Sequence, residues 1–147
     1  MRTLFFTFLF ALISTVVTSQ DIYHKNGIAL EGYDVVSYFE GAAVKGKKTF
    51  ATAYEEALFY FISEAHQKLF EANPQKYLPQ YNGYCAYAIA KKGEKVSINP
   101  KSFLITDNKL YLFYNSWGVN TLKKWEKEGP AELQKLADKH WEQLSKQ

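Results

Sequence analysis

Residues 49–73 read TFATAYEEALFYFISEAHQKLFEAN, and this stretch decides the fold class. Thr49 to Tyr54 alternates as a strand does, with Phe50 set between Thr49 and Ala51. Glu55-Glu56 reads as a turn and Ala57 to Ile62 as the returning strand, so the pair predicts a hairpin. Ser63 stands where a helix cap belongs, its hydroxyl able to accept a free N–H of the first turn. A helix to about Asn73 follows, with Ile62, Ala65, Leu69 and Phe70 on its apolar face and His66 inside that face. Asn73-Pro74 closes it, because a residue before proline avoids the α region. Pro74 opens a further turn carrying Lys76, Tyr77 and Leu78.

Toward the N-terminus, Glu40 to Lys48 is a glycine- and lysine-rich loop. Asp34 is placed to cap a short helix that buries Val35, Val36 and Phe39, and Ile28 to Leu30 reads as extended. Toward the C-terminus, Lys91 to Lys95 is a lysine-rich loop, Val96 to Ile98 a short extended piece and Asn99-Pro100 a turn. Phe103 to Thr106 and Lys109 to Tyr114 flank Asp107-Asn108, which predicts a second hairpin with a two-residue loop. One helix is expected from about Ser116 to Lys127, burying Val119, Leu122 and Trp125. Another begins at Pro130, with Leu133, Leu136, Ala137, Trp141 and Leu144 as its stripe and His140 within it. The expectation is one compact α+β domain, with a small antiparallel sheet from two hairpins packed against three to four helices.

The first 19 residues read differently. Arg2 precedes an almost purely apolar run from Leu4 to Val17, and Val17-Thr18-Ser19 supplies the small residues of a cleavage site. This predicts an export signal removed after Ser19, with residues 20–147 as the mature domain, periplasmic or secreted. The run is shorter than the ~20 residues a spanning helix needs, so no stable anchor is expected after cleavage, and an uncleaved anchor is the alternative. Arg2 is the only arginine, so every mature cation is a lysine, and these lysines are interleaved with acids. Bidentate phosphate recognition is arginine chemistry, which argues against a nucleic-acid partner. With one cysteine the chain forms no internal disulfide.

The chemistry concentrates in Pro79 to Ala90, which holds that cysteine, Cys85, with Tyr81, Tyr84 and Tyr87 and an Asn82-Gly83 turn. A thiolate is a soft metal ligand and a nucleophile; a free cysteine is also a small, buried apolar residue. His66 reads either as a core histidine held by a hydrogen bond or as a ligand partner for Cys85. One sulfur and one nitrogen are too few for structural zinc, which takes four ligands. They suit copper or zinc held transiently. Asp34 is a helix cap or, beside Tyr33, part of a pocket wall. Tyr84 and Tyr87 are candidates to line a pocket with them. His140 reads as a buried polar contact fixing the last helix, and Lys91, Lys92 and Lys95 as a solvated loop. No serine-triad order, phosphate loop or zinc-protease motif occurs.

The order of these signals resembles the YHS-domain family, in particular its small exported members. The resemblance is carried by Gly32 to Phe39, Tyr60 to Ser63, Phe70 to Tyr77, Tyr81 to Ala88 and Asp107 to Asn115, and covers about Asn26 to Trp141. It implies a compact α+β domain. Metal-handling relatives carry Cys-x-x-x-Cys at the turn after the Tyr-Phe step; here those positions are Ile62 and His66. The expected function is therefore non-enzymatic binding of a small ligand or a copper or zinc ion centred on Cys85. The alternatives are a thiol-dependent redox protein or enzyme using Cys85 with His66, and a purely structural or interaction module.

Overall fold

A computed structural model describes residues 20–147. The leader read over residues 1–19 lies outside the described residues. Strands β1 (His24–Lys25), β2 (Ile28–Ala29), β4 (Ala57–Phe61) and β3 (Lys47–Tyr54) form one sheet in that order. β3 and β4 pair antiparallel, whereas β2 runs parallel to β4 through Ile28 and Leu58. The predicted hairpin is present, with Tyr54 opposite Ala57 and both turn residues left-handed, Glu55 at φ 48° and Glu56 at φ 65°. That twist is the one two-residue hairpins favour.

The second hairpin, β5 (Asn99–Thr106) and β6 (Lys109–Phe113), turns at Asp107-Asn108 as predicted, with φ 50° and 57°. It forms a sheet of its own, so the two hairpins occupy separate sheets. Asn99 and Pro100 belong to β5 and not to a turn. The register shifts between Asn99 and Phe103, a bulge that admits the proline, and the Tyr38 hydroxyl donates to the Pro100 carbonyl at 2.6 Å. Residues 96–98, expected as extended, lie outside any strand.

β6 joins the two cores. Its alternate residues face opposite sides, as the pleat requires. Leu110 and Leu112 enter a core with Leu30, Tyr38, Phe59, Phe70 and Cys85. Tyr111 and Phe113 enter another with Ile89, Trp125, Leu133 and Ala137.

Six α-helices are described: α1 (Val35–Phe39), α2 (Glu64–Ala72), α3 (Pro74–Tyr77), α4 (Ala86–Lys92), α5 (Thr121–Glu128) and α6 (Pro130–Leu144). The sequence reading did not separate α4 from the tyrosine-rich segment before it. α5 also starts later than expected, because a small hairpin, β7 (Asn115–Ser116) and β8 (Val119–Asn120), occupies the preceding residues. Val119 is consequently exposed, not buried, and Leu69 and Leu136, expected on apolar faces, are exposed as well. His140 accounts for its place on the α6 stripe by donating from Nδ1 to the Ile89 carbonyl at 2.8 Å, which ties α6 to α4. No helix among the described residues is long and apolar enough to cross a membrane.

Candidate functional site

Asp34 and His66 meet. Asp34 caps α1, its Oδ1 accepting from the amides of Val36 (2.8 Å) and Ser37 (3.3 Å). Its Oδ2 accepts from the Ile62 amide at 2.8 Å and faces His66 Nδ1 at 2.7 Å. The Ser63 hydroxyl accepts from the His66 amide at 3.2 Å, which caps α2 and sets the imidazole in its first turn. The other ring nitrogen, Nε2, lies 3.2 Å from Glu40 Oε1. A carboxylate only accepts, so a neutral ring keeps the bond to Asp34 and has no proton left for Glu40; a doubly protonated ring makes both. Asp34 is wholly buried and His66 nearly so, and the carboxylate joins α1, the end of β4 and α2. The predicted cap is present, and its four acceptor contacts are all used inside the fold. Tyr33 lies on the same segment, half-buried against the first core and bridged by its backbone to Lys45.

Cys85 has a different set of partners. It is the residue before α4, fully buried, with its amide donating to the Val96 carbonyl at 3.0 Å. The Tyr114 amide donates to Sγ at 3.2 Å, and Thr121 Oγ1 lies 3.4 Å from it. Thr121 has one hydroxyl proton and donates it to the Tyr114 carbonyl at 2.6 Å, so its oxygen accepts from the thiol. The sulfur is therefore engaged as donor and as acceptor. His66 is not among its hydrogen-bond partners, nor is Cys85 among those of His66. Among the described residues no group of three histidine, cysteine or carboxylate side chains is arranged to hold a metal ion.

Over Cys85 opens a groove of about 250 Å³. Cys85, Ala88, Val96 and Tyr114 give it an apolar floor with Thr121 among them, and exposed Val119 stands at its edge. Tyr87, Lys91, Lys92 and Lys124 form the rim. The Tyr87 hydroxyl donates to Glu128 Oε1 at 2.8 Å and Lys91 Nζ to Glu128 Oε2 at 3.0 Å. The bond from Tyr87, then that from Lys91, holds the Glu128 carboxyl below its ordinary range, while burial and then Glu128 push the Tyr87 phenol up. Lys91 is thus matched. Lys124 stands 5.9 Å above the Tyr87 ring and adds a weaker pull on Glu128, and among the described residues neither it nor Lys92 forms a close ion pair with a carboxylate.

Tyr84 points elsewhere. Its hydroxyl donates to Asp21 Oδ2 at 3.0 Å, beside Lys95 Nζ at 2.9 Å from the same oxygen. Burial first, then the bond to Asp21, pushes its phenol up to about 12. Larger clefts flank Trp141, but no residue singled out from the sequence as a ligand or metal candidate lines them. The sequence reading found Cys85 and Tyr87 and missed Thr121, Val119 and Lys124. The Trp117-Gly118 step, a turn signal inside the stretch assigned to α5, was the clue to that error. No family model, curated protein or solved structure matches this chain.

Proposed function

We propose that this chain is an exported YHS-type domain that binds a small apolar anion, without turning it over, in the groove above Cys85. The observation that carries the reading is the groove itself, an apolar surface beside lysines of which Lys92 and Lys124 form no close ion pair among the described residues. Apolar surface with a few placed polar groups is the usual make-up of a small-molecule site. At about 250 Å³ the groove falls a little below the ~300–1,000 Å³ of drug-sized sites, so the ligand is a short acid or an aromatic sulfonate or carboxylate. Cys85 shapes the floor; Tyr87 and the lysines select the charge. Tyr33, Asp34, Tyr84 and His66 stand outside this site. Copper(I) or zinc held through the soft sulfur is the same residue's other use, and it would require losing the thiol proton that Thr121 accepts.

The test is a titration of the mature chain with 1-anilinonaphthalene-8-sulfonate, displaced by octanoate. Ala88→Trp, which fills the groove, is expected to weaken binding by about tenfold or more, and Lys92→Glu with Lys124→Glu to weaken it similarly. Undiminished binding in both variants would remove the groove from the account. Titration with copper(I) and zinc, wild type against Cys85→Ser, decides the metal reading: equal affinity excludes the sulfur as a ligand.

A further inference from the structure

The β7–β8 hairpin ends on Trp117, whose surface is 94% exposed, whereas Trp125 is buried. We propose that this hairpin is a peripheral docking tip for an anionic lipid surface. The turn is a built shape. Trp117 and Gly118 are both left-handed, at φ 52° and 74°, as a tight two-residue hairpin demands. Among the described residues, no atom beyond the chain neighbours lies within 4 Å of the position a Gly118 side chain would take, so the turn projects from the body. Its base is clamped: Thr121 donates from its amide (3.0 Å) and hydroxyl (2.6 Å) to the Tyr114 carbonyl, and Asn99 Nδ2 donates to the Asn115 carbonyl at 3.2 Å. The indole is therefore held outward by a rigid stem, with Val119 exposed beside it.

The charge around the tip gives a second, independent observation. Lys123 and Lys124 lie in the first turn of α5, which carries no acid there. A helix N-terminus disfavours cations, and α2 and α6 follow the rule with Glu64 and Glu132 in their first turns. α5 reverses it directly after the hairpin, and neither lysine pairs with a carboxylate. Lys92, on the groove rim shared with Val119, adds a third cation. An indole sits favourably at the headgroup level of a bilayer, and lysines beside it are drawn to anionic headgroups. A protein partner is the poorer fit, because one protruding indole and a valine fall far short of the ~800 Å² that a stable interface buries on each side.

The test uses the chain starting at Gln20, which holds both cores and omits the apolar leader. It is sedimented with vesicles of phosphatidylcholine alone and of phosphatidylcholine mixed with phosphatidylglycerol. Binding to the mixed vesicles only is expected, with a blue shift of tryptophan emission and release by salt. Trp117→Ala should abolish the shift and weaken binding about tenfold. Lys123→Glu with Lys124→Glu, an independent variant, should weaken binding by about twenty-fivefold or more, at roughly fivefold per lysine. Absence of binding to the mixed vesicles, or undiminished binding in both variants, would overturn the proposal. So would capture of a polyglutamate peptide in place of vesicles through the same residues.

Discussion

Asp34 and Cys85 are both buried to the last atom, each stands just before a short helix, and each was a candidate ligand on sequence grounds. Their surroundings separate them. Around Asp34 every contact is absorbed: three backbone amides and the His66 ring converge on one carboxylate, and their geometry is spent on joining three elements. Around Cys85 the sulfur is satisfied too, but a groove opens above it and two of its lysines form no close ion pair among the described residues. A buried polar group must be paired, so a saturated cluster is the ordinary way to hold a fold. Capacity for a ligand lies where open apolar surface and unmatched charge remain together. By that criterion the Asp34–His66 cluster is the saturated one, and the groove over Cys85 is the place we propose for a ligand.

The comparison breaks first at Asp34. Asp34→Ala would orphan the donors of Val36, Ser37, Ile62 and His66 at once, and we expect a loss of about 3–5 kcal/mol in urea unfolding. A loss under about 1 kcal/mol would mean the cluster is not holding the fold and would reopen it as a site. Next is Cys85→Ala, which leaves the Tyr114 amide without its acceptor. A loss of about 1–2 kcal/mol is expected, smaller than at Asp34, measured the same way. A larger loss than at Asp34 would invert the comparison.

The smallest effect should be common to wild type and Cys85→Ala. Burial, before any neighbouring charge, raises the phenols of Tyr84 and Tyr111 from 10.0 to about 12. A folded pKa above the unfolded one gives stability that is complete below pH 10 and is lost as pH climbs toward 12. Thermal melting should therefore fall gradually from pH 10 upward in wild type and in Cys85→Ala alike. A melting temperature flat to pH 12 would show that these rings are not desolvated in solution.

Much of the chain was legible one element at a time. Alternation in residues 49–62, the Ser63 and Asp34 caps, Pro74 and Pro130 at helix starts and the Asp107-Asn108 turn all act within a few residues, so local spacing reveals them. The same local reading put Val119 inside a helix, because a turn of two residues weighs little against an apolar period.

What the sequence determined by itself is the α+β class, the hairpins and the caps. These follow from backbone stereochemistry and side-chain period, which neighbours in the chain already specify. Tertiary structure alone decided which distant groups meet. Asp34 finds His66 across 32 positions, and Cys85 finds Thr121 across 36, because cores on the two faces of β6 bring those elements together. Long-range packing also left Lys92 and Lys124 over an apolar floor and Trp117 in water, and no spacing along the chain encodes such an outcome.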